Sequence, residues 1–214
     1  MFFITYAIKE IIEKSTLEEL KQFLKIVDKS TTWYLVSDYC FDDDNKISDT
    51  VTFSLILNHD KIENIKEYIK TFQPKDIKNS NDVKDGFLKY VLSPVVFNFS
   101  FVLKKSDNYF SNSLSNEIIE NFIERLEYDI EKWIKDNPTT EDYFKKYKKR
   151  INLYKEGKKS KSFNWKLMRK ILIISSIASV IFYEIIKINK PLGICWISDR
   201  DAMVEKFDGI SLDL

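Results

Sequence analysis

Carboxylates are the chemistry this chain has in supply. Among 214 residues it carries 33 Asp and Glu, but one histidine (His59), two cysteines (Cys40 and Cys195) and four glycines. That inventory excludes a His-rich or Cys-rich zinc site, a disulfide framework, a phosphate-cradling glycine loop and most dinucleotide fingerprints. Two aspartates occupy informative places. Asp38 stands inside the aromatic and β-branched run 33–41, and Asp199 comes just after the apolar run 194–197. An ionised carboxylate is costly to bury alone, so each needs a cation, a hydrogen-bond network or a metal beside it. If the two runs are neighbouring strands, both carboxylates point into one site. Oxygen ligands of this kind suit Mg2+ or Mn2+ held for hydrolysis of a phosphodiester. Asp201 and Asp208 are further acids that could complete the coordination. The plainer reading makes Asp38 a strand-end residue beside the turn residues Asp42, Asp43 and Asp44, and Asp199 the cap of a following helix.

Positive charge is concentrated elsewhere. Between Tyr143 and Lys170 stand twelve Lys or Arg against the single acid Glu156, a local balance of +11 in a chain whose net charge is +1. Lys145, Lys146, Lys148, Lys149 and Arg150, continued by Lys155, Lys158, Lys159 and Lys161, are interleaved with Phe144, Tyr147 and Tyr154. A surface that tracks the phosphates of a nucleic acid alternates cations and rings in this way, and so does a solvated helix face. His59, at a strand end before a helix, reads as a loop residue. Cys40 and Cys195, in apolar strands, read as buried thiols rather than as a nucleophile paired with it. Asp76-Ile77-Lys78 admits a nuclease reading in which the lysine activates water near metal-bound acids, but that needs a strand, which Pro74, Asn79 and Ser80 oppose.

The elements that must position these groups follow from periodicity. Ser15-Thr16-Leu17-Glu18 has a capping-box pattern and opens a helix over 16–28. Runs 33–41 and 50–57 form a hairpin across the turn residues Asp42, Asp43, Asp44 and Asn45. Asp60 and Glu63 open a second helix, with Ile62, Ile65, Tyr68, Ile69 and Phe72 on one stripe, stopped by Pro74. A short helix over 83–92 precedes Pro94, and 95–103 is the clearest strand, with Phe97, Phe99 and Phe101 opposite Asn98 and Ser100. Helices over 116–135 and 141–154 follow. Residues 171–183 are uncharged and apolar but shorter than the ~20 residues a bilayer span needs, so they read as a buried core helix before the strand 194–197.

A first strand carrying Asp38, an adjacent antiparallel strand, and a late strand ending in Asp199 with a final acid beyond it resemble the ribonuclease H-like fold. The likeness is closer to a subgroup of uncharacterised bacterial and phage proteins whose first strand carries an acidic metal-ligand motif. In that subgroup the connection before the next strand carries an acid and a lysine, and Asp76-Ile77-Lys78 stands in the matching place. The segment 90–101 resembles its core strand. The chain departs from the pattern in lacking an acidic run inside strand one and in having helical material between the second and third strands. The resemblance implies Mg2+ or Mn2+ held by Asp38, Asp199, Asp201 and Asp208, with Lys78 assisting catalysis.

The expectation is an α/β (or α+β) chain, a mixed β-sheet flanked by helices and ribonuclease H-like. A single domain over 1–214 has an N-terminal helical segment at 1–30 and a basic helical insertion at 138–164. It would act as a metal-dependent nuclease-like protein, with nucleic acid held by Lys145, Lys146, Lys148, Lys149, Arg150, Lys158 and Lys159. The alternative from a different class is a non-catalytic interaction protein, phage- or defence-related, with a protein partner or a second copy of itself. With two cysteines and no signal-peptide pattern, the expected compartment is the cytoplasm, with no membrane partner.

Overall fold

Rings and β-branched side chains favour extended backbone, and the run that holds Asp38 forms the central strand β1 (Thr32–Cys40). The computed structural model describes residues 3–26, 31–73, 83–105, 114–198 and 202–212. Before β1 lie α1 (Phe3–Ser15) and α2 (Leu17–Lys25), so the predicted helix from residue 16 has a second helix ahead of it. The break is at Thr16, whose φ of −145° leaves helical geometry although its N–H still bonds the Ile12 carbonyl at 3.0 Å.

Strand β2 (Ser48–Leu57) pairs antiparallel with β1, Trp33 opposite Leu57 and Cys40 opposite Thr50, as the hairpin pattern predicts. The acidic cluster builds the turn. Asp42 has a φ of +60°, its N–H donates to Asp49 Oδ1 at 2.9 Å, and the Asn45 N–H donates to Asp43 Oδ1 at 3.0 Å. Next come α3 (Ile62–Phe72), α4 (Asp85–Val91) and β3 (Val96–Lys104). The expected cap at Asp60 is replaced by a local bracket, its carboxylate accepting from the Lys61 N–H at 2.7 Å and Asn64 Nδ2 at 2.9 Å. Gly86 lets α3 and α4 approach, because a Cβ there would stand 2.2 Å from the Phe72 ring.

Then follow α5 (Asn116–Asp136), a 3-10 turn (Pro138–Thr140), α6 (Glu141–Lys158), α7 (Trp165–Asn189), β4 (Gly193–Ser198), α8 (Ala202–Gly209) and a last 3-10 turn (Ile210–Leu212). The sheet order is β3-β2-β1-β4, with β4 parallel to β1. Ser54 bonds Asn98 and Thr52 bonds Ser100, so the numbering falls along β2 as it rises along β3, and that pair is antiparallel. The chain is thus mixed α/β, a four-stranded sheet flanked by helices.

Contacts group the chain into two compact units. One comprises Ile12–Leu103 and Ile181–Ser198, the sheet with α2, α3 and α4. Its core on one sheet face gathers Leu20, Phe23 and Leu24 of α2 with Trp33, Leu35, Val51, Phe53 and Leu55. Phe23 bridges the Trp33 and Phe97 rings at 5.5 and 5.3 Å. On the other face Ile65, Tyr90 and Val96 form a smaller cluster with Tyr34 and Ile56. The second unit comprises Met1–Ile11, Lys104–Val180 and Asp199–Leu214, built on α5, α6 and the first part of α7.

Helix α7 corrects the length argument above. It runs 25 residues rather than 13, and over its most apolar 18 the mean hydropathy is 2.1, so length and composition alone would let it cross a bilayer. Its apolar side chains are instead consumed by packing, with Ile171, Ile174, Ile177, Ile181 and Ile185 buried and 61% of that stretch inside the chain. Glu184 is buried with them at 1% exposure, and its Oε1 has no hydrogen-bond partner among the described residues.

Two stability outcomes follow. Leu35→Ala removes a fully buried side chain from the central strand and should cost about 2–5 kcal/mol in urea unfolding. Glu184→Met keeps the volume and removes an orphaned polar group, and should raise stability by about 1–3 kcal/mol in the same assay.

Candidate functional site

Successive residues of a strand face opposite sides, and β1 follows that rule: Trp33, Leu35 and Ser37 are buried, while Asp38 is exposed on the other face. Asp38 sits opposite Thr52 of β2 in the antiparallel register. The expectation of a carboxylate sunk in an apolar strand is therefore corrected, because the pleat turns it outward. Its neighbour Ser37 takes the interior place, at 5% exposure.

Strand β4 runs parallel beside β1 from Thr32↔Gly193 to Ser37↔Ser198. On the inner face these strands share a polar chain. Trp196 Nε1 donates to Ser37 Oγ at 2.8 Å, Ser37 Oγ and Tyr39 Oη are 2.6 Å apart, and Ser198 Oγ donates to Tyr39 Oη at 3.3 Å. The last registered pair, Ser37↔Ser198, stops one residue short of the expected Asp38 and Asp199 pair. Asp199 and Asp201 lie outside the described residues, as do Asp76 and Lys78. Among the described residues no three His, Cys, Asp or Glu side chains gather to hold a cation, so Asp38 and Asp208 alone do not make a metal site.

In the other unit the basic stretch folds as α6, and much of its charge is answered within the chain. Lys148 meets Glu131 at 3.7 Å, Lys155 pairs with Glu127, and Lys158 meets Glu120 at 3.0 Å, so α5 and α6 lie antiparallel with an acidic edge against a basic one. Lys145 and Lys159 pair along their own helix with Asp142 and Glu156 at 2.5 and 2.7 Å. Lys146 is exposed and forms no ion pair among the described residues, and Arg150 is half-buried.

Asp208 and Lys149, expected to serve metal and nucleic acid, hold each other at 2.9 Å. The lysine keeps the Asp208 carboxyl below the ordinary carboxylate range. A kink in α8 sets this pair: Phe207 and Asp208 both have positive φ, +53° and +60°, and the Phe207 ring stacks on Phe163 at 6.0 Å. Tyr154, expected among the exposed rings of the basic stretch, is 1% exposed and packs against Phe163 and Phe207 at 5.6 and 5.7 Å.

His59 places Nδ1 2.7 Å from the Leu57 carbonyl, at the rim of a cavity between α3 and α4. Cys40 receives a hydrogen bond from Lys46 Nζ at 3.2 Å, and Cys195 is exposed, against the expectation of a buried thiol, because it faces outward from β4 between the inward Ile194 and Trp196. Sequence reasoning passed over Ser37, Tyr39, Trp196 and Ser198. What brings them together is the register of β4 against β1, Leu35 opposite Trp196 and Ser37 opposite Ser198, which neither strand reveals by itself. No protein-family model, curated protein or solved structure matches the chain.

Burial, with smaller contributions from Glu120 and Glu124, pushes the Tyr154 hydroxyl up to about 12. A phenol whose folded value lies above its unfolded value of ~10 keeps its proton in the native state while the unfolded chain loses it. Its contribution to stability is complete below about pH 10 and lost as pH rises through the folded value. Wild-type stability should therefore fall more steeply than that of Tyr154→Phe between about pH 10 and 12 in denaturant titrations.

Proposed function

We propose that the chain is a metal-dependent nuclease-like protein of ribonuclease H-like fold, acting on a nucleic-acid phosphodiester in the cytoplasm. The observation that carries this reading is the parallel pairing of β4 beside β1 through Ser37↔Ser198, since the residue that follows each partner in the chain is an aspartate, Asp38 and Asp199. The antiparallel β2 and the parallel β4 on either side of β1 support it, since the resemblance rests on a first strand beside an antiparallel strand and on a late strand ending in an acid. Bound Mg2+ or Mn2+ would supply charge neutralisation at the phosphate and a water of lowered pKa. The chain's own contribution is a solvent-facing carboxylate at Asp38, on a strand whose opposite face is tied to β4 by the Trp196, Ser37 and Tyr39 hydrogen bonds, with Asp199, Asp201 and Lys78 as the remaining members of the proposed site.

A second reading, a non-catalytic interaction protein, is favoured by one observation. Five of the seven cations assigned to nucleic acid are already paired with acids of the same chain.

Incubation of labelled single- and double-stranded DNA and RNA with the protein and Mn2+ or Mg2+ separates the two. Cleavage should depend on the cation and fall at least ~100-fold in Asp38→Asn and in Asp199→Asn, with the circular dichroism spectrum unchanged. Cleavage undiminished in Asp38→Asn removes that residue from catalysis, and absence of cleavage together with no calorimetric uptake of Mn2+ leaves the interaction reading.

A further inference from the structure

We propose that the cavity between α3 and α4 is a binding site for a small aliphatic amine in its ammonium form. This goes beyond the nuclease reading and does not depend on it. The cavity measures about 630 Å³, within the ~300–1,000 Å³ typical of small-molecule sites. Its walls are aromatic and steeply inclined. Tyr68 and Tyr90 have ring centroids 6.0 Å apart at 64°, and His59 and Tyr90 lie 6.4 Å apart at 44°. Rings so arranged make a corner, not a slot. A flat heterocycle cannot lie face-on to two of them, whereas a compact cation can sit over more than one ring face.

The charge lining the cavity has one sign. Among the described residues Asp60 and Glu67 line it and no Lys or Arg does, which disfavours phosphate and carboxylate ligands. Hydrogen bonds from Asn64 and the Lys61 N–H hold the Asp60 carboxyl below its ordinary range, so it stays ionised at neutral pH. Glu67 forms no ion pair among the described residues and is exposed on α3.

Acceptors without donors complete the argument. The Leu57 carbonyl can only accept, so in the 2.7 Å contact His59 Nδ1 carries the hydrogen, and in the neutral ring Nε2 is left as an acceptor. Tyr90 is 8% exposed, and its Oη, like Ser93 Oγ beside it in the cavity lining, is buried with no hydrogen-bond partner among the described residues. Buried hydroxyls are ordinarily bonded, so a small turn of either side chain toward the cavity would let an ammonium group bearing N–H donors satisfy it, as a quaternary ammonium could not.

The test is calorimetric titration of the full chain with 1,4-diaminobutane, beside its neutral counterpart 1,4-butanediol. Saturable binding at one site is expected for the diamine and none for the diol. Glu67→Gln and Tyr68→Ala, both at exposed positions, should each weaken the diamine at least tenfold, while Glu63→Gln, on α3 but outside the cavity lining, should leave it unchanged. Lack of saturable diamine binding, equal binding of the diol, or binding indifferent to both Glu67→Gln and Tyr68→Ala overturns the proposal.

Discussion

Everything in the sheet unit hangs on β1 being paired along both edges. A strand with β2 on one side and β4 on the other has its backbone donors and acceptors committed in both directions, so its register fixes which side chains face which way. Trp33, Leu35 and Ser37 then fall on the face that α2 covers, and Asp38 on the opposite one. A slip of one residue would bury Asp38 in place of Ser37. Ser37 avoids the cost of a buried polar group because Trp196 Nε1 donates to it and Tyr39 completes its bonding. The same hydrogen bonds reach across the parallel seam to Ser198 and so reinforce the register that makes Asp38 outward-facing.

This is also where the sequence was least legible. The antiparallel hairpin and the strand 95–103 could be read from period-two alternation, and the structure has both. The phase of β1 could not be, because Trp33, Tyr34, Leu35 and Val36 form an unbroken apolar run. The structure supplies the reason: at its beginning β1 is covered on both faces, Tyr34 packing with Ile65, Tyr90 and Val96 under α3 and α4 while Trp33 meets Phe23. A doubly covered strand loses the alternation that reveals its inward face. The cavity beside Tyr90 was hidden for a related reason. Tyr68 looks like one more apolar position on the α3 stripe, and only tertiary packing brings it to His59 and Tyr90.

The charge asymmetry was legible as an amount and not as an arrangement. Twelve cations against one acid between residues 143 and 170 is plain from the sequence. That Glu120, Glu127 and Glu131 answer three of them depends on α5 and α6 lying antiparallel, which neither helix states by itself. Such partly exposed pairs each contribute little, typically ~0.2–1 kcal/mol, so the helix pair is held mainly by the burial of Ile119, Ile123, Ile130, Ile151 and Tyr154. The ion pairs act more as a constraint on alternatives, since a shifted alignment would set lysines against lysines. They also lower the positive potential a polyanion would meet.

The same distinction between composition and arrangement decides how α7 should be understood. By composition it would suit a bilayer, where an apolar surface needs no particular partner. Three of its polar side chains, however, make specific bonds within this chain. Ser175 Oγ donates to the Ser211 carbonyl at 2.8 Å, Asn189 Nδ2 to the Leu24 carbonyl at 2.8 Å, and Arg169 to the Leu114 carbonyl and Asn116 Oδ1 at 2.8 and 2.6 Å. Each of these bonds closes within one unit, and each uses a backbone or side-chain acceptor that would otherwise lack that donor. A helix with Arg169, Ser175 and Asn189 matched to acceptors of the surrounding chain, and with Ile171, Ile173, Ile174, Ile177, Ile181 and Ile185 buried, has the constraints of a core element. Its continuous apolar run reflects burial on many sides by protein, which leaves it little surface from which to show an amphipathic period.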